Sequence, residues 1–239
     1  MSTESPADGR PAPVSPGGTD PRTAPAPPGV ERIFYGRVAE LAADALAHRE
    51  TLDDAERAKL AGFLRPQDQE AYAVGHVALR RLLGERLGTA PADVVLERRP
   101  CTQCGGPHGR PVVPGDPVHF SLSHTTGGVL IALATTAVGV DIERLPAPTT
   151  VDEISGQLHP GERDELDRLA GEDRLRAFAR CWTRKEAFLK ATGTGLNEDL
   201  SLTEVGAGPL PVPVPGWSIA DVPADPGYAA AVAVALPGR

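Results

Sequence analysis

Gly139-Val-Asp-Ile-Glu143 alternates acidic with apolar side chains, as a β-strand does when one face is in the core. In such a strand Asp141 and Glu143 point to one side of the sheet, and Val140 and Ile142 point to the other. Two carboxylates held side by side repel each other and resist desolvation, which favours a hard divalent cation between them. A strand end with a solvated acidic face is the open alternative, and it is the commoner case.

Strands and helices are predicted on both sides of this stretch. Strand-like segments at 118–122 and 129–134 come just before it, and an earlier one covers 30–38. Helical segments are expected at about 41–87, with Asp53 or Asp54 as a cap and Gly88 as the stop, and again at about 160–191. Closing strands are expected near Leu202, Trp217 and 228–236. We therefore predict an α+β protein with two similar subdomains, 30–135 and 136–239.

Composition limits the possible classes of protein. The 239 residues carry a net charge of -8 with 41% hydrophobic content, which suits a folded core and excludes a broad basic surface for nucleic acid. No apolar run reads as a signal peptide or a membrane span, so we expect a cytoplasmic protein. Residues 1–29 hold eight prolines and few large apolar side chains, and we predict a disordered tail.

The segment Cys181-Trp-Thr-Arg-Lys-Glu-Ala-Phe-Leu-Lys190 is predicted to lie on a helix that begins near Asp173. At about 100° per residue, Glu186 falls near the middle of an apolar stripe. A buried carboxylate needs a cation, and Lys190 lies one turn further on, while Lys185 lies at the margin of the stripe. The alternative is a Glu–Lys pair on an exposed helix face.

Two other segments contain groups that could bind a ligand. Phe120-Ser-Leu-Ser-His124 is predicted to be a strand entering a small-residue loop, where His124 and its neighbours could bind phosphate or could simply be solvated. Cys101, Cys104 and His108 resemble half of a zinc site, but a closed site needs four ligands.

The three motifs at 120–124, 139–143 and 182–190, in this order, resemble the signature motifs of the 4'-phosphopantetheinyl transferases. The resemblance is to the large, monomeric class that activates peptide and polyketide synthetases. It extends to His108-Gly-Arg-Pro111, to Gly193-Thr-Gly-Leu196 and to Asp225-Pro-Gly-Tyr228.

This resemblance implies a fold, a reaction and partners. The two subdomains would be related by a pseudo-twofold axis, with the active site between them. The enzyme would transfer the phosphopantetheine arm of coenzyme A to a serine of an apo acyl or peptidyl carrier protein. It would release adenosine 3',5'-bisphosphate and use Mg²⁺, or Mn²⁺ in its place.

The resemblance also implies roles for individual residues. Asp141, Glu143 and Glu186 would hold the metal. Glu186, Lys190 and His124 would be catalytic, with Glu186 as our hypothesised base for the serine. The coenzyme would be bound by a further set that shares basic, hydroxyl or loop character: Lys59, Gly109, Arg110, Pro111, Ser123, His124, Lys185 and Lys190.

The first half departs from the family pattern. Glu56, Ala71 and His76 stand where the family often has basic residues, so the 3'-phosphate would rely on Lys59 with other nearby cations, for which Arg57, Arg80 and Arg110 are candidates. Carrier docking is expected on local basic surface, with candidates at Arg98-Arg99 and at Arg174, Arg176 and Arg180. A metal-dependent hydrolase and a non-catalytic coenzyme-binding module are the rival interpretations.

Overall fold

The computed structural model describes residues 26–100, 105–106, 109–195 and 198–238. Most of the predicted tail, residues 1–25, lies outside the described residues. The last part of that tail is tied to the fold, because the carbonyl of Gly29 accepts a hydrogen bond from the amide of Thr135 at 2.9 Å.

The first half is a three-stranded antiparallel sheet packed against helices, in which the strand order is β1-β5-β4. Its main elements are β1 (Val30–Arg37), α1 (Val38–Ala47), α2 (Asp54–Ala61), α3 (Pro66–Leu87), β4 (His119–Thr125) and β5 (Gly128–Ala134). A separate pair of short strands, β2 (Glu97–Arg98) and β3 (Pro111–Val112), was not predicted.

The structure confirms the predicted cap at Asp53 and the predicted stop at Gly88, whereas the first helix begins at Val38, before the predicted start near residue 41. The Asp53 side chain accepts a hydrogen bond from the amide of Glu56 at 2.8 Å, and the Glu56 side chain accepts one from the amide of Asp53 at 3.0 Å. This reciprocal capping box starts helix α2. Gly88, with φ of 70°, ends helix α3 in the left-handed conformation that glycine adopts without strain.

The second half repeats this order of elements. It contains β6 (Val138–Arg144), α4 (Pro148–Ile154), α5 (Pro160–Asp167), α6 (Gly171–Thr192), β7 (Trp217–Asp221) and β8 (Tyr228–Ala235). Its sheet has the order β6-β8-β7, so in each half the last strand lies between the first and the middle one. The predicted strand near Leu202 is wrong, because residues 198–216 contain no strand.

Strand β5 lies between two hydrophobic cores, because its side chains alternate between the two faces of its sheet. The odd-numbered residues from Val129 to Leu133 pack with helix α3. The even-numbered residues from Leu130 to Ala134 pack with strands β6 and β8 of the second sheet. Helix α6 covers the far side of that second sheet. The layers therefore run helix, sheet, sheet, helix.

Strands β4 and β6 run side by side where the two sheets meet, although they belong to separate sheets. The amide of Val140 donates to the hydroxyl of Ser121 at 3.0 Å, and the amide of Ile142 donates to the hydroxyl of Ser123 at 3.4 Å. Because the residue numbers of the paired residues increase together along β4 and β6, the two strands run in the same direction. Serine side chains thus bridge the sheets.

Helix α6 lies very close to strand β6 at Gly139. A Cβ at this position would overlap the carbonyl oxygen of Ala187 and the amide nitrogen of Ala191. Both obstacles are backbone atoms of the helix, so neither can rotate away. Glycine at 139 therefore fixes how closely the helix and its side chains approach the strand.

We predict that Gly139→Ala displaces helix α6 and lowers the free energy of unfolding by about 1–3 kcal/mol, the usual cost of overpacking. Denaturant unfolding followed by circular dichroism measures this change. Gly156→Ala is the matched control, because no atom lies within 4 Å of its Cβ position. Equal stability of the two variants would contradict the close contact.

Candidate active site

Asp141 is the most buried acid of the predicted metal set, with 2% of the residue exposed. Its Oδ1 accepts a hydrogen bond from the Ser123 hydroxyl at 2.8 Å and forms an ion pair with Lys190 Nζ at 2.6 Å. Its Oδ2 is buried and has no hydrogen-bond partner among the described residues. One oxygen of this carboxylate is therefore saturated, and the other is left for a ligand.

Glu143 and Glu186 are half-buried and interact electrostatically with Asp141. Burial raises the pKa of Glu143 to about 7, and the charges of Asp141 and Glu186 add to this against the effect of Lys190. Burial likewise raises the pKa of Glu186, where Lys190 opposes the shift and Asp141 adds to it. The structure thus brings the three predicted carboxylates, from a strand and a helix, into one electrostatic environment.

The ammonium group of Lys190 contacts Asp141, whereas the sequence placed it beside Glu186. Helical spacing alone predicted the Glu186 contact. The fold instead brings the side chain over strand β6, where it also donates to the hydroxyl of Ser123 at 3.1 Å. Glu186 Oε1 is left buried and without a hydrogen-bond partner in the part of the chain that the structure describes.

The donor atoms of this site fit a hard divalent cation. Among the residues that the structure describes, the three carboxylates lie near Lys190, and two of their buried oxygens have no hydrogen-bond partner. Oxygen donors are those that Mg²⁺ prefers. Within the described ranges, no three acidic, histidine or cysteine side chains already stand at metal-binding separation. The side chains would therefore have to close around an ion.

A cavity of about 870 Å³ lies beside the carboxylates and contains most of the predicted coenzyme-binding residues. Ser123 and Lys190 belong both to this cavity and to the environment of Asp141. The predicted residues that line it are Lys59, Gly109, Arg110, Pro111, Ser123, His124 and Lys190. The fold thus brings together, at this cavity, predicted residues that are far apart along the chain.

One end of the cavity contains an aromatic and cationic cluster that sequence reasoning only partly found. The ring of Tyr72 stacks on His76 with centroids 4.0 Å apart, and Lys59 Nζ lies 5.2 Å from the Tyr72 centroid. His76 Nδ1 lies 2.9 Å from Glu56 Oε1. Tyr72 was missed, although the spacing of Tyr72 and His76, one helical turn apart, was a usable signal.

His124 lies on strand β4, not in the loop that the sequence suggested. The strand continues to Thr125, which pairs with Gly128 across a tight turn. Solvent reaches the ring from the cavity, yet burial lowers the pKa of His124 to about 4, and His76, Lys59 and Lys190 lower it further. The imidazole is therefore neutral at pH 7 and is surrounded by groups that attract an anion.

The loop from Gly109 to Pro111 is fixed by backbone contacts. A Cβ on Gly109 would overlap the carbonyl oxygen of Arg99, so only glycine fits. Arg110 Nη1 donates to the carbonyl of Ala191, near the end of helix α6, at 3.2 Å. Burial, with the charge of Arg99, lowers the pKa of Arg110. This arginine ties the loop to the helix that carries Lys190.

The structure does not bring Lys185 to the cavity, which corrects its predicted role in binding the coenzyme. Its Nζ forms a buried ion pair with Glu162 Oε2 at 2.8 Å and donates to the carbonyls of Leu200 and Thr203. The neighbouring Arg184 binds Asp221 at 2.6 Å and is also fully buried. Both cations hold the segment after helix α6.

The remaining sequence candidates are the possible zinc ligands and the docking arginines. Cys101, Cys104 and His108 lie outside the described residues. Several candidate docking arginines already have partners, because Arg174 pairs with Asp152, Arg176 with Glu172 and Arg99 with Asp116. No helix in the described ranges is long and apolar enough to span a membrane.

The fold and the site define a class of α+β protein in which acidic side chains lie beside a cavity lined with cations. Residues 137–223 match the family model of the 4'-phosphopantetheinyl transferase superfamily. The 4'-phosphopantetheinyl transferase HetI of Nostoc sp. is 31% identical over 196 residues, which cover 77% of this chain and 79% of HetI. The 4'-phosphopantetheinyl transferase Sfp of Bacillus subtilis is 26% identical over 76% of this chain and 81% of its own length. The chain belongs to the 4'-phosphopantetheinyl transferase superfamily and is a transferase of this type.

We predict that Lys185→Met lowers the free energy of unfolding by about 3 kcal/mol or more, because it leaves the buried Glu162 carboxylate without its cation. Thermal or denaturant unfolding measures the loss. Lys59→Met is the control, since Lys59 is exposed and lines the cavity. If Lys185→Met kept the stability of the wild type and weakened ligand binding instead, the structural role of Lys185 as the partner of Glu162 would be wrong.

A second prediction concerns His124. An NMR titration of its ring protons should give a pKa well below the ordinary 6.5 in the free protein. Pyrophosphate should raise that pKa, because a nearby anion stabilises the imidazolium form. His124→Asn identifies the signal by removing it. An ordinary pKa that does not change with pyrophosphate would contradict the cationic surroundings.

Proposed function

We propose that the enzyme transfers the 4'-phosphopantetheine arm of coenzyme A to a serine of an apo acyl or peptidyl carrier protein, releases adenosine 3',5'-bisphosphate and depends on Mg²⁺. The observation that carries this proposal is the set of three carboxylates beside a cavity of about 870 Å³, in which two buried oxygens have no hydrogen-bond partner among the described residues. Mn²⁺ would substitute for Mg²⁺. We further propose that the enzyme acts as a cytoplasmic monomer.

The proposed architecture is that of two similar subdomains, 30–135 and 136–239, related by a pseudo-twofold axis. The equal length of helices α3 and α6, 22 residues each, supports this proposal. Both helices end at a left-handed glycine, and both sheets place the last strand in the middle. The active site would then lie where the two sheets meet.

The metal would be held by Asp141, Glu143 and Glu186. When bound, Mg²⁺ would supply positive charge to the pyrophosphate of the coenzyme. Lys190 would neutralise further charge there, since it lines the cavity and reaches Asp141 at 2.6 Å. Phosphoryl transfer depends mainly on such positioning and neutralisation of charge.

The coenzyme would lie along the cavity with its nucleotide away from the carboxylates. Gly109, Arg110 and Pro111 would face the adenine, and Lys59 and His124 would bind phosphate. The stacked rings of His76 and Tyr72, with centroids 4.0 Å apart, would support Lys59 and His124. Arg110 also stands near helix α6, so one loop would connect nucleotide binding with the reacting end.

Transfer would begin with the serine hydroxyl of the carrier. Its oxygen forms a bond to the β-phosphorus, and the bond from that phosphorus to the bridging oxygen breaks. The electron pair leaves with adenosine 3',5'-bisphosphate. Glu186 would accept the serine proton, since its Oε1 is buried and has no hydrogen-bond partner among the described residues.

The test is incubation with coenzyme A, Mg²⁺ and a panel of apo carriers, followed by mass spectrometry. We expect a carrier to gain one phosphopantetheine, with adenosine 3',5'-bisphosphate released only when the carrier is present. Release without a carrier would favour a hydrolase. Coenzyme binding without any mass gain would favour a non-catalytic binding module.

We predict that Asp141→Asn lowers turnover at least about 10-fold, because losing a metal ligand costs no less than losing its supporting partner. Initial rates over a range of Mg²⁺ concentrations measure the effect. Asp152→Asn, which changes an exposed acid on helix α4, is the matched control. Full turnover of Asp141→Asn would show that the metal assignment is wrong.

A further inference from the structure

The hydroxyls of Ser121 and Ser123 take the place of backbone acceptors between the two sheets. Strand β6 lies at the edge of its sheet, so its outward amides need partners from elsewhere. The amides of Val140 and Ile142 donate to the two serines at 3.0 and 3.4 Å. Because the serines and the amides are each two residues apart, both bonds form in a single register.

Ser123 makes two further hydrogen bonds, and none like them is found for Ser121 among the described residues. A serine hydroxyl carries one hydrogen and two acceptor positions. The oxygen of Ser123 accepts from the amide of Ile142 and from Lys190 Nζ, and its only hydrogen goes to Asp141 Oδ1 at 2.8 Å. The hydroxyl is therefore fully used within the protein, and its hydrogen is directed to a carboxylate.

The hydrogen bond from Ser123 determines which oxygen of Asp141 is available for a ligand. The last torsion of an aspartate side chain is broad and roughly two-fold, so an unrestrained carboxylate exchanges its two oxygens easily. Ser123 and Lys190 both bind Oδ1, and Oδ2 remains buried without a partner among the described residues. Of the two groups, Ser123 is the more fixed, since its own strand is anchored to β6 at Ile142.

We propose that Ser123 is a positioning residue for Asp141, which it holds with Oδ2 turned toward the cation site, and that Ser121 sets only the register between the sheets. The resemblance had suggested that Ser123 binds the coenzyme. To donate to a phosphate, the Ser123 hydroxyl must first break its hydrogen bond to Asp141. The inference rests on the proposed metal site.

The experiment measures Mn²⁺ binding by calorimetry, without substrate, in the wild type and in Ser123→Ala, Ser123→Cys and Ser121→Ala. We expect Ser123→Ala to bind Mn²⁺ about 10-fold more weakly, the usual effect of losing a partner of a metal ligand. Ser123→Cys keeps the size of the side chain but hydrogen-bonds weakly, so it should fold and lose similar affinity. Ser121→Ala should keep the wild-type affinity and unfold at a lower temperature.

Kinetics provide a second measurement that a structural defect would not reproduce. For Ser123→Ala, kcat should fall at low Mg²⁺ and recover at saturating Mg²⁺, while KM for coenzyme A stays within about 2-fold, since the change acts on the metal ligand. A raised KM with wild-type Mn²⁺ binding would show that Ser123 contacts phosphate and would overturn the proposal. An equal loss of Mn²⁺ affinity in Ser121→Ala would also overturn it.

The failure of this inference can be separated from the failure of the proposed function. If the wild type binds no Mn²⁺, the metal site itself is wrong. If the wild type binds Mn²⁺ and both Ser123 variants bind it equally well, only the positioning role is wrong. Should Ser123→Ala fail to fold, the cysteine variant decides between these outcomes.

Discussion

The close contact between helix α6 and strand β6 at Gly139 is the constraint on which the site depends. Only a residue without a side chain lets the helix backbone at Ala187 and Ala191 lie so near the strand. This approach brings Lys190 from the helix to Asp141 on the strand at 2.6 Å. Acids from two elements thereby share one environment, and a divalent cation becomes the natural way to offset their repulsion.

Helix α6 carries out two tasks with adjacent residues. Arg184 and Lys185 are buried, and they hold the segment after the helix through Asp221 and Glu162. Glu186 and Lys190 both interact with Asp141 of strand β6, and Lys190 also lines the cavity. Arg184 and Lys185 thus fix the segment that follows the helix. Glu186 and Lys190 supply charged groups to the site from the same rigid helix.

Sequence reasoning predicted the parts that follow local periodicity. Alternation in a strand placed Asp141 and Glu143 on one face, and helical spacing placed Glu186 on a buried stripe. It failed where partners come from distant segments. Lys185 lies at a stripe margin, and nothing local reveals that Glu162 and two carbonyls of a later segment surround it. Likewise, the serine hydroxyls and amides that join the two sheets are separated by 19 residues.

The central claim is that a strand and a helix together provide one divalent-cation site. Calorimetric titration of Mn²⁺ into the wild type and into Glu186→Gln tests it most directly, because Glu186 is the helix contribution and Asp141 and Glu143 are the contribution of the strand. We expect one site in the wild type and at least about 10-fold weaker binding in the variant, since losing a ligand costs no less than losing its supporting partner. Wild-type affinity in Glu186→Gln would contradict it.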